Sequence, residues 1–201
     1  MRNVHTVIII PGLGDETRVL GYITWHWKSY GLEPVVYSVG WRDGEESFRL
    51  KLNRLVKLID EFVKKGAMVS LVGTSAGGSA ALNAFTERKN KIHRVINVCG
   101  RLRVGPTTGL RSFASKTKSS PAFAQSVRLC EQSIKRLAVA DRKKIMTVHA
   151  MFGDELVPSE TTIIEGANNI QVPTAEHIVS IGAALTVFSK SLISFLIIRK
   201  F

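Results

Sequence analysis

Short apolar runs rich in β-branched residues alternate along this chain with longer segments whose apolar residues recur every three or four positions. The runs Val4–Ile10, Pro34–Val39, Met68–Val72, Ile92–Val98 and Ile145–Phe152 read as buried strands. Thr162–Ile164 and Ile170–Val172 flank a turn near Gly166–Asn169, and the second run is a candidate sixth strand. Helical periodicity covers Thr17–Tyr30, with apolar residues at Val19, Leu20, Ile23 and Trp27 and a stop at Gly31. It is strongest over Glu45–Lys65, where Phe48, Leu52, Leu55, Val56, Ile59 and Val63 share one face. Further helices are predicted over Ser75–Arg88, Ala122–Asp141 and Ile178–Ile198. Trp25 and Trp27 stand two apart, so they cannot share a helix face; one belongs to the core, the other to the surface or a site mouth.

Strands alternating with helices predict an α/β fold: a doubly wound, mostly parallel six-stranded sheet with helices on both faces. The expected organisation is one domain over residues 1–201. Residues 100–121 depart from the pattern. They are rich in Gly, Ser, Thr, Lys and Arg and poor in aliphatics, and predict a basic loop or lid-like insert.

Composition sharpens this picture in a few places. With 45% hydrophobic and 22% charged residues the chain is of globular type. The last helix is long enough for a bilayer, but Lys190 interrupts it, and inserting it would pull His177 out of the domain. It is expected to pack on the sheet, with no membrane-spanning helix. The apolar run near the N-terminus meets Pro11 and is too short for a secretory signal. Cys99 and Cys130 lack the spacing of a zinc or redox motif, so free thiols, a cytoplasmic location, no metal and no cofactor are expected. The net charge of +12 is concentrated: residues 87–144 hold 15 Lys/Arg against 3 Asp/Glu. That segment is either a solvated surface or a face for an anionic surface or acidic substrates; nucleic acid is not the expected partner.

In a doubly wound sheet, ligands bind at the carboxyl ends of the strands. After the third strand comes Gly73-Thr74-Ser75-Ala76-Gly77, the G-x-S-x-G turn that lifts a serine to a helix N-terminus. A glycine-rich helix start by chance is the plain alternative. A nucleophilic serine needs a base and an acid to orient it. Phe152-Gly153-Asp154-Glu155-Leu156-Val157-Pro158 follows the fifth strand, and Asp154 is the candidate acid, with Val157 anchoring the loop; a helix cap is the alternative role. Among five histidines only His177 lies on a loop after a strand late in the chain, which makes it the candidate base. Two N–H donors are needed for the developing oxyanion. Ala76 supplies one and Leu13, in Pro11-Gly12-Leu13-Gly14-Asp15, the other, with Gly12 and Gly14 letting the backbone approach the substrate; a simple glycine turn is the alternative. A dinucleotide fingerprint would need glycine where Thr17 stands, and no phosphate-loop motif is present.

Taken in order, IIIPGLGD, LVGTSAGG, FGDELVP and AEH resemble the α/β-hydrolase superfamily, as a small serine hydrolase of esterase or lipase type, over nearly the whole chain. The resemblance implies that Ser75 attacks an acyl carbonyl and that water then hydrolyses the acyl-enzyme. Carboxylic esters or thioesters, lipids among them, are the implied substrates. Pro11 stands where many members have histidine, and Glu176 where glycine usually precedes the base. The first two strands of larger members are missing, which implies a minimal form. The insert at 100–121 falls where members carry a lid, and Arg101 and Arg103 are its candidate substrate-binding residues, with Arg111, Lys116 and Lys118 adding charge. Two rival functions remain: a non-catalytic protein of this shape that binds an anionic partner, and an acyltransferase using the same three residues.

Overall fold

A computed structural model describes residues 4–45, 47–105 and 113–198. Six strands form one sheet: β1 (His5–Ile10), β2 (Leu32–Val36), β3 (Met68–Thr74), β4 (Ile92–Val98), β5 (Ile145–Ala150) and β6 (Asn168–Val172). Their order is β2-β1-β3-β4-β5-β6 and every pairing is parallel. Pro34 sits in β2, an edge strand, where its missing N–H removes no ladder bond.

Helices cover both faces, as the near-continuous burial of β1, β3, β4 and β5 requires. α1 (Thr17–Thr24), α2 (Phe48–Lys64), α3 (Ala76–Glu87), α4 (Phe113–Thr117), α5 (Pro121–Lys135), α6 (Val139–Arg142), α7 (His177–Leu185) and α8 (Ser189–Ile197) follow in chain order. Ile8 and Ile10 of β1 join a core with α2, α3 and α5; Val7 and Ile9 join a second core with α1, α7 and α8.

Three predicted helices are broken, and the one expected over Ala122–Asp141 ends at Lys135 and resumes as the short α6. The helix expected over Thr17–Tyr30 tightens to a 3-10 helix from Trp25, closed by Gly31 in the left-handed region (φ 77°). The single helix expected over Ile178–Ile198 is two helices bent by 53°. The Thr186 hydroxyl bonds back to the Gly182 carbonyl at 2.7 Å, where the helix leaves its regular course. Among the described residues no single helix is long and apolar enough to cross a membrane. Ala184, Leu185, Leu192, Ile193 and Leu196 of the bent pair are buried against the sheet.

The expected loop at 100–121 is packed at both ends. Arg101, Leu102, Phe113, Thr117 and Ser120 are buried and α4 lies within it; Arg111 falls outside the described residues. Leu102 N–H donates to the Thr161 carbonyl at 3.0 Å, and the Ser120 hydroxyl to the Trp41 carbonyl at 2.9 Å. These long-range bonds tie down residues whose local composition carries no sign of them.

Register positions the site. Ile10 pairs with Gly73, Thr74 with Val98, Val98 with Val148 and Ala150 with Val172. The carboxyl ends therefore align, and the loops leaving β1, β3, β4, β5 and β6 open on one edge. β1 lies between β2 and β3, so successive connections depart in opposite directions beside it, which opens a crevice there.

Trp27 is fully buried and donates its indole N–H to the Leu185 carbonyl, whereas Trp25 is 67% exposed. Trp27→Ala is expected to lower stability by about 3–5 kcal/mol. Trp25→Ala should change it by no more than about 0.5 kcal/mol. Urea unfolding of the two variants checks the assignment.

Candidate active site

Ser75 joins β3 to α3 at φ 51° and ψ −122°. Glycine favours that conformation and a serine adopts it at a cost, so the surroundings must hold it. Ser75 N–H donates to the Val98 carbonyl, and the Ser75 carbonyl accepts from Gly78 N–H. The turn also demands close backbone contact. A Cβ on Gly77 would lie 2.0 Å from the Ile10 carbonyl oxygen, and one on Gly12 would lie 2.8 Å from Ser75 Cβ. Bare backbone at these positions lets the loop after β1 touch the turn after β3. Ala76 opens α3, so its N–H is among those with no partner inside the helix.

Asp154 and His177 reach Ser75 from the next strand ends. His177 Nε2 lies 2.9 Å from Ser75 Oγ, and His177 Nδ1 lies 2.7 Å from Asp154 Oδ2. Asp154 and His177 are buried. An ionised carboxylate only accepts, so the imidazole proton sits on Nδ1 and the Nε2 lone pair faces the Ser75 hydroxyl. The other Asp154 oxygen accepts from Leu156 N–H and Val157 N–H, both at 2.8 Å. Burial pushes the Asp154 carboxyl up, but the His177 bond and these two N–H groups outweigh it and hold the pKa below the ordinary 3.8. Glu155 and Glu176 serve the backbone instead. Glu155 accepts from His177 N–H at 3.0 Å, and Glu176 caps α7 by accepting from Val179 N–H.

The loop after β1 is braced from behind. Asp15 accepts from the Ser38 hydroxyl at 2.7 Å and from Trp41 N–H at 3.1 Å, while the Trp41 indole donates to the Pro11 carbonyl at 3.1 Å. Neither Asp15 nor Trp41 was a candidate from the sequence; the only local sign was the departure from regular structure around positions 40–44. Gly14 is exposed, and a Cβ there would meet only Glu16 at ordinary contact distance, so close approach does not require glycine there.

A cavity of about 70 Å³ adjoins Ser75, lined by Leu13, Arg101, Phe123, Leu156 and Val157. Arg101, expected on a mobile insert, is instead 1% exposed in this wall. Burial pushes its guanidinium pKa down, opposed by the charge of Glu160. Arg103 turns away and donates to the Glu160 carbonyl. Phe123, Leu156 and Val157 had no sequence signal as lining residues, because the pairing of α5 with the loop after β5 is set by tertiary packing.

Of the remaining histidines, His5 bonds to Ser70, His26 to Ile23 and Ser189, and His149 to Gln171, while His93 packs edge-on against His5. Burial, and to a lesser degree the charge of Asp154, pushes the Cys99 thiol up to about 12, so it offers no competing thiolate. Among the described residues no group of three His, Cys, Asp or Glu side chains is placed to hold a metal ion.

This sheet order, with a serine turn after its third strand, has the architecture of the α/β-hydrolases, and the chain has that fold. No known family model matches the sequence, and no curated protein does. Solved structures do. Est1E from Butyrivibrio proteoclasticus superposes with TM-score 0.67 at 15% identity, over 98% of this chain and 88% of its own. A monoacylglycerol lipase from Paleococcus ferrophilus gives 0.65 at 15%, over 95% and 93%. A serine hydrolase involved in carbazole degradation, the CarC enzyme, gives 0.63 at 16%, over 98% and 92%. At these identities the likeness is one of fold.

Two outcomes are expected from this geometry. Gly77→Ala should cost about 3 kcal/mol or more, since the new methyl meets backbone rather than a yielding side chain; thermal unfolding measures it. Asp154 has a depressed folded pKa, so its contribution to stability is complete above its unfolded value near 3.8 and is lost as pH falls through the folded value. The stability advantage of wild type over Asp154→Asn should hold from neutral pH to about 5 and shrink below 3.8, as followed by urea unfolding at a series of pH values.

Proposed function

We propose that this protein is a serine hydrolase that cleaves carboxylic esters or thioesters through an acyl-enzyme on Ser75. The observation that carries the reading is the continuous hydrogen-bonded line from Ser75 Oγ through His177 to Asp154, at 2.9 and 2.7 Å. Fold neighbours named as a monoacylglycerol lipase and a serine hydrolase support it.

The chemistry follows from the proton positions. Ser75 Oγ attacks the acyl carbon as its proton passes to His177 Nε2. Asp154, already bonded to Nδ1, stabilises the imidazolium and keeps the ring aligned. The carbonyl oxygen gains charge and takes hydrogen bonds from Ala76 N–H and Leu13 N–H. His177 then returns the proton to the departing alcohol or thiol, leaving the acyl group on Ser75. Water enters, His177 takes its proton, and the same steps release the acid. The depressed pKa of Asp154 keeps it ionised at neutral pH, as this role requires.

The test uses one probe and two variants. A fluorophosphonate should label wild type at Ser75 and leave Ser75→Ala unlabelled. Turnover of p-nitrophenyl acetate should fall by at least about 10³-fold in Ser75→Ala and by about 10⁴-fold in Asp154→Asn, with the fold retained by circular dichroism. Near-normal turnover in Ser75→Ala would overturn the proposal.

A further inference from the structure

The cavity described above, which adjoins Ser75, is small. Its walls are apolar apart from Arg101, and they come from four places: the loop after β1 (Leu13), the segment after β4 (Arg101), α5 (Phe123) and the loop after β5 (Leu156, Val157). His177 is not among them. That absence gives the cavity a chemical direction. If Ser75 and His177 act as proposed above, the leaving oxygen must face His177 to be protonated. The substituent on the far side of the carbonyl carbon, the acyl chain, then enters the cavity.

Size decides which chains enter. An apolar cavity of about 150 Å³ holds a benzene, six carbons. On that scale about 70 Å³ holds roughly three carbons beyond the carbonyl. The walls are poorly placed to yield. Phe123 is 5% exposed and packs edge-on against Trp41, whose indole also holds the Pro11 carbonyl. Val157 is fastened by its N–H to Asp154. Arg101 closes the wall with a buried guanidinium, and an alkyl chain pushed against it would strip a cation of polar surroundings. We infer that the site selects esters of short acyl groups, acetyl to butyryl, and rejects long-chain fatty acyl esters, while the alcohol or thiol part is loosely specified.

This inference rests on the hydrolase reading, and the experiment separates the two. Hydrolysis of p-nitrophenyl acetate, butyrate, hexanoate and octanoate is measured below the micellar range, beside a series of acetate esters of lengthening alcohols. Because one methylene too many in a hydrophobic pocket is worth roughly 10–200-fold, kcat/KM should fall at least about tenfold between butyrate and octanoate. Lengthening the alcohol should change it by less than the same lengthening of the acyl chain. Leu156→Ala removes a partly buried wall residue while keeping the backbone N–H that Asp154 uses, and it should raise the octanoate-to-butyrate ratio several-fold. A kcat/KM that climbs to octanoate in wild type, or a length preference that follows the alcohol, overturns the inference and leaves the hydrolase reading standing. A wild-type preference that Leu156→Ala does not move overturns the cavity as its source. Absence of turnover across both series, with Ser75 unlabelled by fluorophosphonate, overturns the hydrolase reading and the inference with it.

Discussion

The site depends on one contact between bare backbones. The first turn of α3 crosses so close to the end of β1 that Gly77 has the Ile10 and Pro11 carbonyl oxygens where a side chain would begin. The parallel register of β1 with β3 brings the two strand ends level, and the absence of a Cβ at Gly77 lets the helix start descend onto them. From that contact follow the placement of the half-buried Ser75 at the strand end, the proximity of Gly12, and the position of Leu13 in the cavity wall. A wider separation would leave the serine on an ordinary helix N-terminus with no second backbone loop beside it.

A second economy lies in groups that hold two parts at once. One oxygen of Asp154 closes its own loop through Leu156 and Val157, and the other orients His177. Trp41 likewise supports the Pro11 carbonyl with its indole N–H, packs against Phe123 with its ring, and accepts the Ser120 hydroxyl on its carbonyl. The loop after β1 and the cavity wall therefore share a support some 30 residues away in sequence from Pro11. Such sharing couples the geometry of the loop after β1 to the shape of the cavity beside Ser75.

What was legible in the sequence had local causes. The strand Ile92–Val98 has the limits its β-branched run predicts, and the turn at Ser75 announces itself through its flanking glycines. Asp154 and His177 could be singled out by their places after strands, and the structure brings them within hydrogen-bond distance of each other and of Ser75. What was not legible depends on distant partners. Arg101 looks like a surface cation in its Gly- and Lys-rich context, yet Leu102 and Thr161 pin its neighbourhood into the core. Part of the charge of residues 87–144 is engaged within the fold, by partners the sequence did not indicate. Arg88 and Lys91 share Asp60, Lys89 pairs with Asp141, and Arg94 and Arg142 donate to backbone carbonyls. The break at Thr186 has a local cause, a hydroxyl that competes for the helix backbone, but threonine bends helices only in some contexts.

The backbone angle at Ser75 has an evolutionary corollary. A non-glycine residue held in that region carries about 1–3 kcal/mol of strain whether or not a substrate is ever bound. Glycine would shed that strain, and the extra freedom it returns to the unfolded chain is worth only about 0.5–1 kcal/mol. At this one position, then, the residue that folds best is not the residue that the proposed reaction requires. Without selection on the hydroxyl, drift at position 75 runs downhill in free energy toward glycine and a sturdier fold.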